Sequence, residues 1–191
     1  TGNNEITAVE FDKAIIAAGC QAVELQGFEF SKGCLTTMEA LELQEIPKSL
    51  AIIGADYNAI EIANIYAKLG SSVSIVCLGQ LLPDLDSDVV RFATNNLVKV
   101  GVKIFIDSKP KEFLAGRKVV VFTDTGKEQQ LQAEKVVVCV GMKPVSSSLH
   151  LNNTRVQLDS AGYIKINNKC QTTDVRIYAI GDITGLPWLA H

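Results

Sequence analysis

The sequence predicts an α/β fold, a parallel sheet with an antiparallel β-meander crossover. Three observations carry that prediction. Residues 50–53, Leu-Ala-Ile-Ile, form a short continuous apolar run, the pattern of a strand buried on both faces. The run ends on Gly54, and from Tyr57 the apolar residues recur at helical spacing until Gly70, before a second apolar run at 73–77. Strand, glycine turn, helix and strand within about 30 residues make a βαβ unit. Further along, residues 109–131 hold short strand candidates broken by Gly116-Arg117 and by Asp124-Thr125-Gly126, which are hairpin turn signals.

Taken in order, residues 11–19 read as a buried strand, Ala14 to Ala18, that leaves through Gly19. Small residues at a strand exit admit either a cofactor or a packed helix, and the segment alone does not choose. Residues 21–48 read as a connector with one short helix, in which Thr36 is the N-cap and Glu39 completes a capping box. Pro47 then leads into the central strand. In the helix after Gly54, residues Ala59, Ile62, Ala63, Tyr66 and Ala67 form one apolar face. Residues 80–88 are a loop whose Asp86 or Ser87 caps a second helix over 89–100, with Val90, Phe92, Ala93, Leu97 and Val98 as its apolar positions. Residues 102–106 make a third strand, parallel to the others by the right-handed crossover rule. The meander takes the place of the next crossover helix. Residues 135–141 return as a strongly apolar strand ending at Gly141, and in open α/β sheets ligands gather at such strand ends. Residues 145–153 read as polar loop, 156–166 as two short strands around a turn, and 177–182 as a strand ending in Gly181-Asp182. An acid there grips a hydroxyl-bearing ligand or caps the segment that follows.

Composition bounds the function. A chain of 191 residues corresponds to one domain or one and a half, and 47% apolar content supports a proper core. The net charge of −3 argues against a nucleic-acid surface. No apolar run approaches the length that spans a bilayer, and no signal peptide is visible at the start, so no membrane partner is expected. Cys20, Cys34, Cys77, Cys139 and Cys170 are isolated from one another, which suits buried thiols in a reducing cytoplasm. The histidines are His150 and His191, with no cysteine pair beside either, so no metal site is expected. Asp84, Asp86 and Asp88 lack the spacing of a calcium loop.

A βαβ unit of this kind commonly binds a dinucleotide through G-x-G-x-x-G and an acid after the second strand. Here the turn reads Gly54-Ala55-Asp56-Tyr57-Asn58-Ala59. The first glycine is kept, the second is Asp56 and the third is Ala59. Cys77 stands near where the ribose-binding acid belongs, and no arginine follows at 77–80 to favour a 2′-phosphate. Asp56 brings a carboxylate to the place where a pyrophosphate needs bare main chain. It is also able to accept from the first N–H groups of its own helix as an internal cap.

The landmarks AIIAAG, PKSLAIIGADYNAIE, LLPDLDSD, VVVCVGMKP, AGYIKIN and IYAIGDITGLPWLAH occur in an order that resembles the flavin-dependent pyridine nucleotide–disulfide oxidoreductases, within them the dihydrolipoamide dehydrogenase branch. The resemblance covers about residues 11 to 191. It implies a Rossmann-like NAD domain flanked by fragments of an FAD domain: residues 1–34 as the end of the first FAD segment, 35–149 as the NAD domain, and 150–191 as the start of the second FAD segment. By the same resemblance Gly54, Tyr57, Glu61 and Gly141 match positions around the dinucleotide, Glu61 near the nicotinamide. Gly19 and Asp182 fall to the FAD side, with Asp182 matching the aspartate that bonds the ribityl chain. The family's redox C-x₄-C pair and first βαβ unit are expected before Thr1, and its general-acid histidine and glutamate after His191. No catalytic residue is therefore assigned within 1–191. The chain looks like a middle piece of a flavoenzyme, without turnover alone and with weak or absent NAD binding. For the parent protein the resemblance implies NAD and FAD as cofactors, lipoyl domains of 2-oxoacid dehydrogenase complexes as partners, and a homodimer. A glutathione or mercuric reductase branch, and a non-catalytic relative serving assembly, stand as alternatives.

Overall fold

The computed structural model describes residues 8–31 and 33–185; part of the closing motif, 186–191, lies outside them. The described strands and helices are, in order, β1 (Ala14–Ile16), β2 (Cys20–Ala22), β3 (Cys34–Leu35), α1 (Thr37–Leu41), β4 (Ser49–Gly54), α2 (Tyr57–Lys68), β5 (Ser72–Val76), α3 (Ser87–Lys99), β6 (Lys103–Phe105), β7 (Lys109–Leu114), β8 (Val119–Asp124), β9 (Lys127–Gln132), β10 (Lys135–Cys139), β11 (Met142–Pro144) and β12 (Ile177–Ala179), with short 3-10 turns between some of them. The chain divides into two compact units, residues 22–141 and residues 1–21 with 142–191.

In the unit 22–141 the sheet order is β3-β10-β4-β5-β6, every neighbouring pair parallel. The period of two along each strand explains the unbroken apolar runs. Leu50 and Ile52 of β4 and Val137 and Cys139 of β10 face a helical layer with Ala59, Ile62, Ala63, Tyr66 and Leu97. Ala51, Ile53, Val136 and Val138 face the other way, against Val120 and Phe122 of the meander. The meander is β7-β8-β9, antiparallel throughout, so it covers the face that a crossover helix covers elsewhere. Phe105 and Phe122 meet there in a tilted pair with ring centroids 4.9 Å apart.

The helices form where the sequence supplies caps. Thr36 Oγ1 accepts from Glu39 N–H at 3.1 Å while Glu39 Oε2 accepts from Thr36 N–H at 2.8 Å, a complete capping box. The Tyr66 hydroxyl on α2 donates to the Ala40 carbonyl and ties α1 to α2. Asp86 caps α3 by accepting from Asp88 N–H at 2.8 Å. Glu134 fastens the exit of the meander to the start of β4. Its Oε2 accepts from Lys48 N–H at 2.9 Å, its Oε1 pairs with Lys118 at 3.2 Å, and its own N–H donates to Ser49 Oγ at 3.0 Å.

Some expectations change. On α3 only Leu97 is fully buried, with Val90, Ala93 and Thr94 half-buried beside it. Phe92 and Val98 point outward, because the helix turns the i, i+3, i+4, i+7 row beginning at Val90 to the sheet. The 21–48 connector is not passive: β3 extends the sheet at β10, and Phe28 is completely buried among residues of β4, β8 and β10. The compact unit of the sheet begins at residue 22. Residues 145–153 coil into two 3-10 turns, Val145–Leu149 and Leu151–Asn153, where polar loop is expected.

In the unit 1–21 with 142–191, β1 and β12 pair in parallel and β2 pairs with β11. Leu151, Val156, Ile164, Ile177, Ala179 and Ile183 form its core, joined by the half-buried Val145 and Leu149. The 3-10 turns thus belong to this unit, which takes up the chain again at Met142. The strand β1 is shorter and less covered than its apolar composition suggests, and Ile15 is 66% exposed. The two expected strands in 156–166 reduce to one bridge between Leu158 and Ile164, the chain reversing on an Asp159 turn whose carboxylate accepts from Ala161 and Tyr163 N–H.

Candidate functional site

The carboxyl edge of the parallel sheet gathers four of the residues singled out in sequence. Gly54 ends β4 and Cys139 ends β10, and the two are register partners. Tyr57 opens α2, Glu61 lies exposed one turn on, and Gly141 follows two residues after Cys139. Gly54 has a packing reason to be glycine that its place in the turn does not reveal. Its φ is +137°, and a Cβ there would lie 1.9 Å from the Cys139 carbonyl oxygen. The central strands approach so closely at this point that no side chain fits.

Asp56 is the N-cap of α2. Its backbone is extended, and its Oδ1 accepts from Ala59 N–H at 2.9 Å, while Asn58 Nδ2 lies 3.4 Å from Oδ2. The sequence pattern offers two roles for this carboxylate, and the structure displays the internal cap: an acid of the chain itself takes one of the N–H groups with which a helix start receives a phosphate. Burial pushes its carboxyl above the ordinary carboxylate range, with the Glu61 charge adding in the same direction. The hydrogen bonds from Ala59 and Asn58 oppose them. The turn is held from above by Leu82 N–H, which donates to the Ala55 carbonyl at 2.7 Å. Leu81 and Leu82 are both buried.

Cys77 follows β5 directly. Its thiol is buried, donates to the Gly79 carbonyl at 3.0 Å, and is pushed up to about 11 by burial. A neutral thiol committed to a backbone carbonyl does not replace a carboxylate as acceptor for two ribose hydroxyls. Burial, with the Asp56 charge second, also raises the Cys139 thiol far above the thiol range. Cys139 and Asn58 are the two neighbours of Asp56 that sequence reading missed. An Asn two residues after a capping Asp was the available signal for one, and no local signal marks the other.

The other unit carries a smaller arrangement of the same kind. The strands β1 and β12 run parallel with Ile16 opposite Ala179, so Gly19 and Asp182 each stand three residues past a paired strand end. The Cys20 thiol donates to the Asp182 carbonyl oxygen at 3.3 Å, which fixes that backbone. Asp182 itself is half-buried, within a 3-10 turn at Gly181–Thr184. Among the described residues no group of three or more His, Cys, Asp or Glu side chains converges as a metal site would. None of the described helices is long and apolar enough to cross a membrane.

The family model of pyridine nucleotide-disulphide oxidoreductases matches residues 2–191. The chain belongs to that family. It is similar to the dihydrolipoyl dehydrogenase of Haloferax volcanii, 31% identical over 96% of this chain and 40% of that protein. It is likewise similar to the dihydrolipoyl dehydrogenase of Geobacillus stearothermophilus, 34% identical over 95% of this chain and 39% of the relative. Among solved structures, the Cu(II) complex of the HOCl-induced flavoprotein disulfide reductase RclA from Escherichia coli superposes with a TM-score of 0.82. It is 27% identical and covers 92% of this chain and 40% of its own. The chain thus spans about two fifths of the length of the relatives it matches.

Proposed function

We propose that this chain is the NAD-domain portion, with flanking FAD-domain segments, of a dihydrolipoamide dehydrogenase-like flavoenzyme. Such an enzyme oxidises dihydrolipoamide with NAD by way of FAD, and works as a homodimer beside lipoyl domains of 2-oxoacid dehydrogenase complexes in the cytoplasm. Gly54, Tyr57, Glu61 and Gly141 are assigned to the dinucleotide edge, and Gly19 and Asp182 to the flavin edge. The names of the relatives and the order of landmarks support the branch. A half-buried acid beside a glycine at paired strand ends supports a polyhydroxyl ligand at Asp182.

The dinucleotide edge fits its ligand poorly, and the observation that carries this is the Asp56 carboxylate capping α2. At about 5 Å and an effective dielectric near 20, one like-charge contact costs about 3 kcal/mol. That compares with ~8 kcal/mol for a whole micromolar complex. The 191-residue chain by itself therefore binds NAD(H) weakly and, with no catalytic residue assigned within it, does not turn over. Fluorescence titration with NADH and a lipoamide reductase assay test the reading. A micromolar dissociation constant refutes the first half, and measurable turnover refutes the second.

The combined replacements at Asp56 and Cys77 favour one second reading, a non-catalytic relative whose edge keeps its shape for assembly or partner binding. The longer coding sequence separates the two. A C-x₄-C pair upstream and a histidine–glutamate pair downstream support the enzyme, and their absence supports the relative.

A further inference from the structure

We propose that Asp56 is a proton-operated stopper of the dinucleotide turn: ionised, it holds the anion position at the start of α2, and protonated, it yields that position to a pyrophosphate. The proposal rests on the reading of this edge as a dinucleotide site. Its geometry is local. Oδ1 sits 2.9 Å from Ala59 N–H, and Oδ2 is 3.4 Å from the Asn58 amide. Both contacts are stronger to a carboxylate than to a neutral acid. Protonation weakens the cap and removes the charge in one step, leaving the N–H to a better acceptor.

The groups that face Asp56 make it the titrating member of the set. On α2 the further charge is Glu61, one turn along and exposed, and it opposes ionisation of Asp56. From β10 the neighbour is the Cys139 thiol, which burial keeps neutral throughout the working range. The turn before Asp56 contributes only backbone, with Ala55 O taken by Leu82 N–H. No ion pair among the described residues involves Asp56, so no cation holds it ionised as the pH falls. Burial then favours the neutral acid.

The step is a proton uptake. Dinucleotide binding to the ionised protein takes one proton from solvent onto the Asp56 carboxylate, with no bond made or broken in the ligand. Where Asp56 is ionised in the free chain, the dissociation constant for NAD⁺ then rises about tenfold per pH unit.

The test is isothermal titration of the 191-residue chain with NAD⁺, whose pyrophosphate stays ionised, from about pH 5 to about pH 8, for the natural sequence and for Asp56→Asn, Asp56→Gly and Glu61→Gln, with circular dichroism confirming the fold of each. The expected result is a logarithm of Kd rising with a slope approaching one in the natural chain and in Glu61→Gln, and flat, tighter binding in Asp56→Asn and Asp56→Gly. Tighter binding in Asp56→Gly with a flat profile in the natural chain overturns the stopper alone, and the site reading survives. Loss of the slope in Glu61→Gln overturns the assignment to Asp56. No gain in Asp56→Gly at any pH overturns both, and moves the obstacle to Cys77 or to protein beyond these residues.

Discussion

Gly54→Ala is the substitution for which the structure gives the firmest magnitude. A methyl group at residue 54 would lie 1.9 Å from the Cys139 carbonyl oxygen, 2.5 Å from its carbonyl carbon and 3.1 Å from its Cβ. An ordinary carbon–oxygen contact is about 3.3 Å, so β4 and β10 must part by roughly 1.4 Å at their carboxyl ends. The obstacle is backbone in the middle of a five-stranded sheet and has no rotamer to escape into. A φ of +137° adds backbone strain of about 1–3 kcal/mol for a residue with a side chain. Loss of one or two ladder hydrogen bonds adds about 1 kcal/mol each. A total of about 2–5 kcal/mol is a large part of the ~5–15 kcal/mol that holds a domain folded. With a urea m-value of about 2 kcal/mol/M, the midpoint followed by circular dichroism falls by about 1–2.5 M. A midpoint within about 0.3 M of the natural chain would refute the close approach of β4 and β10.

Other outcomes follow from the same geometry. Thr36→Ala removes the hydroxyl that accepts from Glu39 N–H, leaving only the backbone half of the capping box of α1, and costs about 0.5–2 kcal/mol, read as a lower urea midpoint; an unchanged midpoint contradicts the cap. Iodoacetamide at about pH 8 labels the exposed Cys170 first, while Cys34 and Cys77, both raised to about 11 by burial, stay unmodified until the sheet unfolds. Mass mapping that finds Cys77 labelled as fast as Cys170 contradicts its burial. The Glu134 carboxyl is held below its ordinary value, first by Lys48 N–H and then by Lys118. Its stabilisation is therefore present above the unfolded value and is lost as pH falls through the folded one. Asp56, raised by burial, has the opposite sign: folding gains as pH falls toward its ordinary value. In denaturation curves between about pH 3 and pH 7, Glu134→Gln should shallow the acid loss of stability and Asp56→Asn should steepen it. The reverse pair of changes contradicts both assignments.

Much of the fold is legible in residue order because the deciding signals are local. The capping box at Thr36 and Glu39, the β4 run into Gly54, and the Asp124-Thr125-Gly126 turn between β8 and β9 each specify their element within a few positions. What escapes is decided across the sheet. Phe28 looks like an incidental aromatic in a connector, yet it is buried against β4, β8 and β10, a contact that no neighbour in sequence announces. Phe92 and Val98 look like core positions of α3, yet both fall outside the row Val90, Ala93, Thr94 and Leu97 that the helix buries, and so they are exposed. The site divides the same way. Asp56 as a cap is readable from a single helix start. The requirement for glycine at 54 depends on a carbonyl 85 residues away, and only the pairing of β4 with β10 exposes it.

The affinity of the 191-residue chain for NADH at neutral pH, compared between the natural sequence and Asp56→Gly, bears most directly on the account. One like-charge contact of about 3 kcal/mol turns a micromolar complex into one of about 0.1 mM or weaker. The natural chain should therefore bind above about 0.1 mM, with Asp56→Gly at least about tenfold tighter. Micromolar binding by the natural chain, with nothing gained on removing the carboxylate, would contradict it.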